Sequence, residues 1–180
     1  MHNLSTRLWS HIRVVQDFPK SGQCFFDLTP LFSSNISFLT DAFIERIPAE
    51  QLAAVDCFMA VETRGFAIAS LLAQRLDKGL ILVRKAGKLP PPVIGIGSSL
   101  DYGKDRLEIS AQIKAQNVMI IDDILATGNT LNAVKQLAEK AQHHVLGASI
   151  LLNLSSDHSN LNTNIWSILD EKSRPKLKVA

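Results

Sequence analysis

This sequence of 180 residues contains little cysteine, little net charge and no long apolar run. Its two cysteines, Cys24 and Cys57, lack metal-ligand spacing, so we expect reduced thiols of the kind found in the cytosol. A net charge of +2 is too small to indicate a nucleic-acid or membrane partner. No apolar run approaches the roughly 18 residues of a transmembrane helix, and the amino terminus lacks the apolar stretch of a signal peptide. We therefore expect a cytoplasmic protein that binds neither nucleic acid nor membranes.

The composition is that of a globular protein, with 46% hydrophobic and 20% charged residues. The length fits a single domain, residues 1–180, with a sizeable core. Residues 4–15 and 36–47 carry apolar residues at helical spacing, and Pro19 and Pro48 lie beyond their ends. The sequence therefore predicts two helices before the first strand.

From residue 57 onward, short apolar segments alternate with helical patterns. The sequence predicts strands at 57–61, 80–84, 118–122 and 145–153, and helices at 66–76 and 130–141. This alternation is typical of an α/β fold in which helices cover both faces of a parallel sheet. Ligands of such sheets bind beyond the carboxyl ends of the strands. We therefore expect the loops 62–65, 84–90 and 122–130 to lie at one edge.

One connection, residues 91–112, is too long for an ordinary loop. Gly95, Gly97 and Gly103 supply candidate hinges, and the residues around them have some strand character. We interpret this segment as a protruding hairpin or lid.

The stretch VMIIDDILATGNTL, residues 118–131, places two acids directly before a loop that suits an anion. The loop precedes a helix, so its backbone N–H groups lie near the positive end of the helix dipole. The hydroxyls of Thr127 and Thr130 add donors, and Gly128 permits a positive φ and close approach of a phosphate. These features predict a nest for one phosphate group.

The acids, Asp122 and Asp123, cannot bind the phosphate, but they can bind what is attached to it. Carboxylates accept hydrogen bonds from sugar hydroxyls, and they favour a nearby Mg²⁺. A phosphosugar with a metal therefore explains both the acids and the loop. The same residues also fit a plain turn with a capping threonine and two solvated acids, and the residues alone leave both interpretations open.

Several segments carry a family resemblance. VMIIDDILATGNT resembles the phosphoribosyl-pyrophosphate (PRPP) motif of type I phosphoribosyltransferases, in which an apolar strand and two acids precede A-T-G-G-T. Four others are similar to motifs of the adenine phosphoribosyltransferase family in the same order: DFPKSGQCFFDLTPLF, AVETRGF, LVRKAGKLP and SLDYGKDRLEI. The resemblance spans residues 17 to about 154 and implies the type I fold, a parallel twisted sheet flanked by helices with a flexible lid or hood.

The resemblance also implies a reaction, in which adenine and PRPP give AMP and pyrophosphate with Mg²⁺. It implies a homodimer, a place in purine salvage, and a metal bound mainly through PRPP and water. In the PRPP site, Asp122 and Asp123 would hold the ribose hydroxyls. The 5′-phosphate would lie on Ala126, Thr127, Gly128, Asn129 and Thr130. Glu62, Thr63 and Arg64 would form the pyrophosphate loop, with positive charge added by Arg84 and Lys88.

For the base, the resemblance implies that Phe25 stacks on adenine and that the backbones of Cys24 and Phe26 read its edge. Asp101 in the lid is the candidate to accept or hold a base proton, and Tyr102 lies beside it. Arg64 opposes the dipole at a helix N-terminus, so a bound anion accounts for it better than a solvated surface role. His143 and His144 are expected to be solvated residues at a helix end.

Three residues depart from the family pattern: Phe26 replaces an arginine, Asn129 a glycine and Asp101 a glutamate. The departures leave two alternatives open. One is a phosphoribosyltransferase for another purine base, and the other is a catalytically weak protein that binds PRPP or a nucleotide as a regulator.

Overall fold

A computed structural model describes residues 2–34, 36–97, 106–155 and 161–175. The helices are α1 His2–Trp9, α2 Thr29–Ser33, α3 Ser37–Arg46, α4 Ala49–Ala54, α5 Arg64–Leu76 and α6 Asn129–Lys140. The strands are β1 Arg13–Gln16, β2 Cys24–Asp27, β3 Cys57–Val61, β4 Gly79–Lys85, β5 Val93–Ile96, β6 Leu107–Ser110, β7 Asn117–Leu125, β8 His144–Asn153 and β9 Ile165–Asp170. A short 3₁₀ helix covers Glu171–Ser173.

Seven strands form one sheet in the order β5-β6-β4-β3-β7-β8-β9. The pairs from β4 to β9 across the centre are parallel, while β6 pairs antiparallel with both β4 and β5. Every residue of β3 is buried, because helices cover both faces of the sheet and an unbroken apolar strand suits that position. The predicted α/β fold with a mostly parallel sheet is confirmed.

The two faces of β7 contribute to separate cores. Met119 and Ile121 pack in the cluster that also buries residues of α1, α3 and α5, including Leu8, Phe43 and Leu72. Val118 and Ile120 pack in the other cluster, which contains the apolar residues of α6: Leu131, Val134 and Leu137. Successive strand residues point to opposite faces, so one apolar strand anchors both layers. The two helices that begin at the carboxyl edge, α5 and α6, are thereby fixed to the sheet.

The predicted helix over residues 4–15 is wrong in its second half. Helix α1 ends at Trp9, and β1 pairs antiparallel with β2, with Val14 opposite Phe26. Val14 and Val15 are β-branched residues that suit a strand, and their spacing from Leu8 also fitted a helical stripe. This hairpin presents the segment that the family resemblance assigns to the base.

The predicted hairpin within residues 91–112 is present at its base. Strands β5 and β6 pair antiparallel, and β6 joins the hairpin to β4 of the main sheet. Residues 98–105, which include Asp101 and Tyr102, lie outside the described residues. No helix in the described ranges is long and apolar enough to cross a membrane.

Candidate active site

The ends of β3, β4 and β7 bring the three expected loops together. The Glu62 N–H donates to Val83 O at 3.1 Å, which fixes the start of the loop after β3 against β4. From the other side, Arg64 reaches β7, where its Nε lies 2.6 Å from Asp123 Oδ2. Residues that are far apart in the sequence thus meet at one edge of the sheet, as the parallel arrangement requires.

The two acids belong to the strand and not to the loop. Strand β7 continues to Leu125, beyond its predicted end at residue 122, so backbone pairing with β8 includes Asp122. Helix α5 approaches closely because residue 65 is glycine: a Cβ there would lie 3.2 Å from Ile121 O and 3.5 Å from Asp122 Oδ1. The acids are therefore held between a rigid strand and the first turn of α5.

The charge of Asp123 is balanced within the protein. Its side chain is 11% exposed and forms the ion pair with Arg64. Despite the short distance, the donor geometry is poor, and Asp123 Oδ2 is a buried oxygen without a hydrogen bond among the described residues. The cation at the start of α5 thus has an internal counter-ion, so its position does not by itself require a bound anion. The unused hydrogen-bonding capacity of Asp123 is available to a ligand hydroxyl.

Asp122 is neutralised in a different way. Burial, and then the negative charge of Asp123, raise the pKa of Asp122 to about 8. A backbone hydrogen bond from Asp123 N at 2.9 Å and the charge of Arg64 act in the opposite direction, but they do not offset the burial. The adjacent acids therefore hold one proton between them at neutral pH in the free protein. Together with Arg64, this proton removes most of the repulsion that two carboxylates would exert on a phosphate nearby.

We expect Asp122→Asn to stabilise the free protein at alkaline pH. Because folding raises this carboxyl pKa, the contribution of Asp122 to the free energy of unfolding is fully present below about pH 4 and is lost as the pH rises through about 8. Asparagine mimics the protonated form. At pH 9 the free energy of unfolding of the variant should therefore exceed that of the wild type by roughly 2 kcal/mol, with a smaller difference at pH 6. Thermal unfolding from pH 6 to 9 measures this, with exposed Asp41→Asn as control; parallel pH profiles for wild type and Asp122→Asn would contradict it.

The loop predicted to bind a phosphate has the expected backbone conformation. Gly128 has φ +81°, and α6 begins directly after it at Asn129. Asp122, Thr127, Gly128 and Thr130 line a concavity of about 80 Å³. Ala126, Thr127, Asn129 and Thr130 are exposed at the start of the helix, and the Asn129 N–H donates to Thr127 Oγ1 at 3.4 Å. The backbone donors of this turn can therefore reach an anion from solvent.

The residues that the family resemblance assigns to pyrophosphate include cations whose charge is partly balanced within the protein. Arg84 Nε lies 3.0 Å from Glu62 Oε2, and Arg84 Nη1 donates to Lys88 O at 3.4 Å. Lys88 and Thr63 are exposed. An incoming polyanion thus meets one exposed lysine and two arginines, Arg64 and Arg84, each of which already pairs with one carboxylate.

The segment on β2 that the family resemblance assigns to the base contributes side chains both to the candidate site and to the core. Phe25 is half-buried, its ring packs edge to face on Phe18 at 5.1 Å, and the Arg64 guanidinium lies 5.8 Å from its centroid. Phe26 is 3% exposed and packs against Trp9 in the core. Cys24 is exposed. Phe18, half of which is exposed, was not predicted as part of this edge, although the sequence places it beside the turn that leads into β2.

Comparisons with known proteins show the family to which the chain belongs. Residues 40–175 match the phosphoribosyl transferase domain. An adenine phosphoribosyltransferase of Synechococcus sp. (strain JA-3-3Ab) is 40% identical over 152 residues, which are 82% of this chain and 86% of the relative. The chain belongs to the adenine phosphoribosyltransferase family.

Solved structures of that family have the same fold. The adenine phosphoribosyltransferase of Saccharomyces cerevisiae, complexed with an imino-altritol bisphosphate and adenine, superposes with a TM-score of 0.85 at 31% identity, and the match covers 94% of this chain and 100% of that chain. The enzyme of Rhodothermus marinus gives a TM-score of 0.81 at 30% identity over 94% of this chain and 99% of that chain. The recognition made from the motifs is confirmed.

Two of the departures from the family pattern have structural explanations. Phe26 points into the core against Trp9, so its side chain does not replace the arginine's charge, and its carbonyl accepts from Arg64 Nη1 at 3.4 Å. Asn129 is the first residue of α6 and has no positive φ, so this position does not require glycine. The third departure, Asp101, lies outside the described residues.

The expectation for His143 is wrong. Its side chain is 4% exposed, and its Nδ1 accepts from the Gln116 N–H at 3.2 Å, while burial lowers its pKa. His144 is exposed, as expected. Both residues lie at the amino ends of the parallel strands, away from the candidate site.

Proposed function

We propose that this protein transfers the 5-phosphoribosyl group of PRPP to adenine and releases AMP and pyrophosphate. The observation that carries the proposal is the pair Asp122 and Asp123 beside the nest opened by Gly128, with Arg64 bound to the second acid. A sugar phosphate would use both parts of this arrangement, the acids through its hydroxyls and the loop at Gly128 through its phosphate. Relatives that are about 40% identical are named adenine phosphoribosyltransferases.

In this proposal the 5′-phosphate lies on the backbone of residues 126–130, and Asp122 and Asp123 accept the ribose hydroxyls. Hydroxyl donors suit Asp123 Oδ2, which is buried and lacks a hydrogen bond from the described residues. Because Asp123 already pairs with Arg64, the sugar is bound next to the cation that faces its leaving group.

The leaving pyrophosphate is assigned to residues 62–64 with Arg84 and Lys88. Arg64 and Arg84 are preformed in the site because Asp123 and Glu62 hold them at 2.6 and 3.0 Å. Cations held in place before the reaction stabilise developing negative charge without a further cost of reorganisation. Lys88, which is exposed, adds a further positive charge at the pyrophosphate end of the substrate.

The donor chemistry fits Mg²⁺ that arrives with the substrate. The carboxylates of Asp122 and Asp123 are hard oxygen ligands, and deprotonation of Asp122 would add a second charge. Among the residues that the structure describes, no group of three or more histidine, cysteine or acidic side chains could hold a metal alone. When bound, the ion would supply Lewis-acid charge to the pyrophosphate oxygens.

For the base, we propose that Phe25 stacks on adenine and that the backbones of Cys24 and Phe26 contact its edge. The Phe26 carbonyl accepts from Arg64 at 3.4 Å, and its second lone pair is available to the base without movement of Arg64. Asp101 and Tyr102 of the lid complete the site in this proposal, with Asp101 accepting or holding a base proton.

Asp101→Ala should therefore lower kcat by about 100-fold or more and change the PRPP dissociation constant by less than about threefold. Steady-state kinetics and calorimetric titration with PRPP separate the two effects. The exposed Asp41→Ala variant is the control. An unchanged kcat would exclude this role for Asp101.

The test of the function is nucleotide formation from PRPP, Mg²⁺ and one base at a time. We expect AMP from adenine and no comparable product from hypoxanthine or guanine. Preference for either of those bases would support the first alternative. If no base reacts but PRPP raises the melting temperature, the regulator alternative would replace the enzyme.

We also propose a homodimer, as the family resemblance implies, and a cytoplasmic location, as the free cysteines Cys24 and Cys57 suggest. Light scattering of the purified protein should give about twice the mass of one chain. A mass of one chain at micromolar concentration would contradict the dimer.

A further inference from the structure

Glu108, on the middle strand of the β4-β6-β5 edge, is a buried acid with no role in the site described above. Glu108 is 6% exposed, and it lies opposite Gly95 on β5 and Arg84 on β4. A carboxylate this far from solvent needs partners for its charge and its lone pairs. Both of its oxygens have such partners.

One oxygen holds the loop after β4. The Gly87 N–H donates to Glu108 Oε2 at 3.1 Å, in the turn that also carries Lys88. Gly87 has φ +76°, so this turn depends on a backbone conformation that side chains rarely allow. The neighbouring Ala86 N–H donates to Arg106 O at 2.9 Å, which ties the same turn to β6 a second time.

The other oxygen holds Arg106, the residue directly before β6. Arg106 Nε lies 3.2 Å from Glu108 Oε1. The Arg106 guanidinium occupies the space above Gly95, where any Cβ would collide with it. Both partners of Glu108 are donors, so a carboxylate satisfies them where a glutamine would point an N–H₂ group at one of them.

We propose that Glu108 is a positioning residue that holds the turn carrying Lys88 in place for the pyrophosphate end of the substrate. This inference rests on the proposed function, because it takes Lys88 to meet a pyrophosphate. Glu108 itself touches no substrate. It acts through the Gly87 N–H, and the contact with Arg106 holds its carboxylate in that orientation.

Amide hydrogen exchange tests the positioning without any substrate. In Glu108→Ala, the amides of residues 86–88 should exchange about tenfold faster than in the wild type. Glu108→Gln, which keeps an acceptor for the Gly87 N–H, should show a smaller increase, and it serves if the alanine variant does not fold. Asp41→Ala, which removes an exposed acid from an ion pair with Arg75, is the control. Unchanged exchange at residues 86–88 in both Glu108 variants would overturn the proposal.

Steady-state kinetics test whether the position of this turn affects the binding of PRPP. Glu108→Ala should raise KM for PRPP about tenfold, with kcat and KM for adenine changed less than about twofold. In a Lys88→Ala background the same substitution should add less than about twofold, because Glu108 acts through the turn that carries Lys88. A full penalty in that background, or an equal loss in kcat, would indicate a merely structural role. If the wild type forms no AMP, the proposed function fails, while the exchange comparison still decides whether Glu108 holds the turn.

Discussion

Arg64→Ala should lower kcat/KM for PRPP by about 100- to 1,000-fold, which is the usual effect of removing one preorganised charge from a transition state. Arg64 contacts Asp123 at 2.6 Å, the Phe26 carbonyl at 3.4 Å and the Phe25 ring at 5.8 Å. No other cation in the described part of the chain contacts both the acid pair and the base segment. Stopped-flow or steady-state measurement of AMP formation gives the ratio.

The loss of Arg64 should also destabilise the protein, by about 1–2 kcal/mol, because Asp123 would become a buried charge without a partner. Adding Asp123→Asn should recover that stability without recovering activity. Arg75→Ala is the matched control, since it removes an arginine from the same helix and from an exposed ion pair with Asp41. Equal activity losses in the two arginine variants would contradict the role of Arg64.

Gly128→Ala should raise KM for PRPP at least about tenfold and lower the free energy of unfolding by about 1–3 kcal/mol. The residue has φ +81°, which a Cβ disfavours, and the new Cβ would lie 2.8 Å from Leu161 Cδ2. Leu161 is 6% exposed and has little room to move. The turn would therefore shift, and its N–H groups would no longer converge on one phosphate.

Gly22→Ala separates the effect of backbone strain from the effect of the collision with Leu161. Gly22 has the same φ of +81°, but no atom would lie within 4 Å of its Cβ. This control should lose stability through backbone strain alone and keep its KM for PRPP. If Gly22→Ala and Gly128→Ala raise KM equally, the effect comes from general destabilisation and not from the nest.

The sequence predicted those parts of the fold that depend on local pattern. Strand β3, Cys57–Val61, has its predicted bounds because a short apolar run between turns is typical of a buried strand. The hairpin at Val14 was missed, since valines at that spacing also fit a helical stripe and only pairing with β2 decides between them. Strand β9 was not predicted at all, and it exists through its parallel pairing with β8.

The candidate site shows the same division. The nest could be read from the order of residues, because a positive φ at Gly128 and a helix start at Asn129 are local properties. The ion pairs of Arg64 with Asp123 and of Arg84 with Glu62 each join a residue that follows β3 to a different strand, so no spacing in the sequence indicates them. The protonation of Asp122 likewise follows from burial, which only the packed structure determines.

A crystal structure with AMP bound would test the central claim most directly. The phosphate should lie about 3 Å from backbone nitrogens of residues 127–130, with the ribose hydroxyls on Asp122 and Asp123 and the base on Phe25. A nucleotide bound instead in the cleft of about 600 Å³ beside Lys135 and His143, at the opposite edge of the sheet, would contradict the assignment.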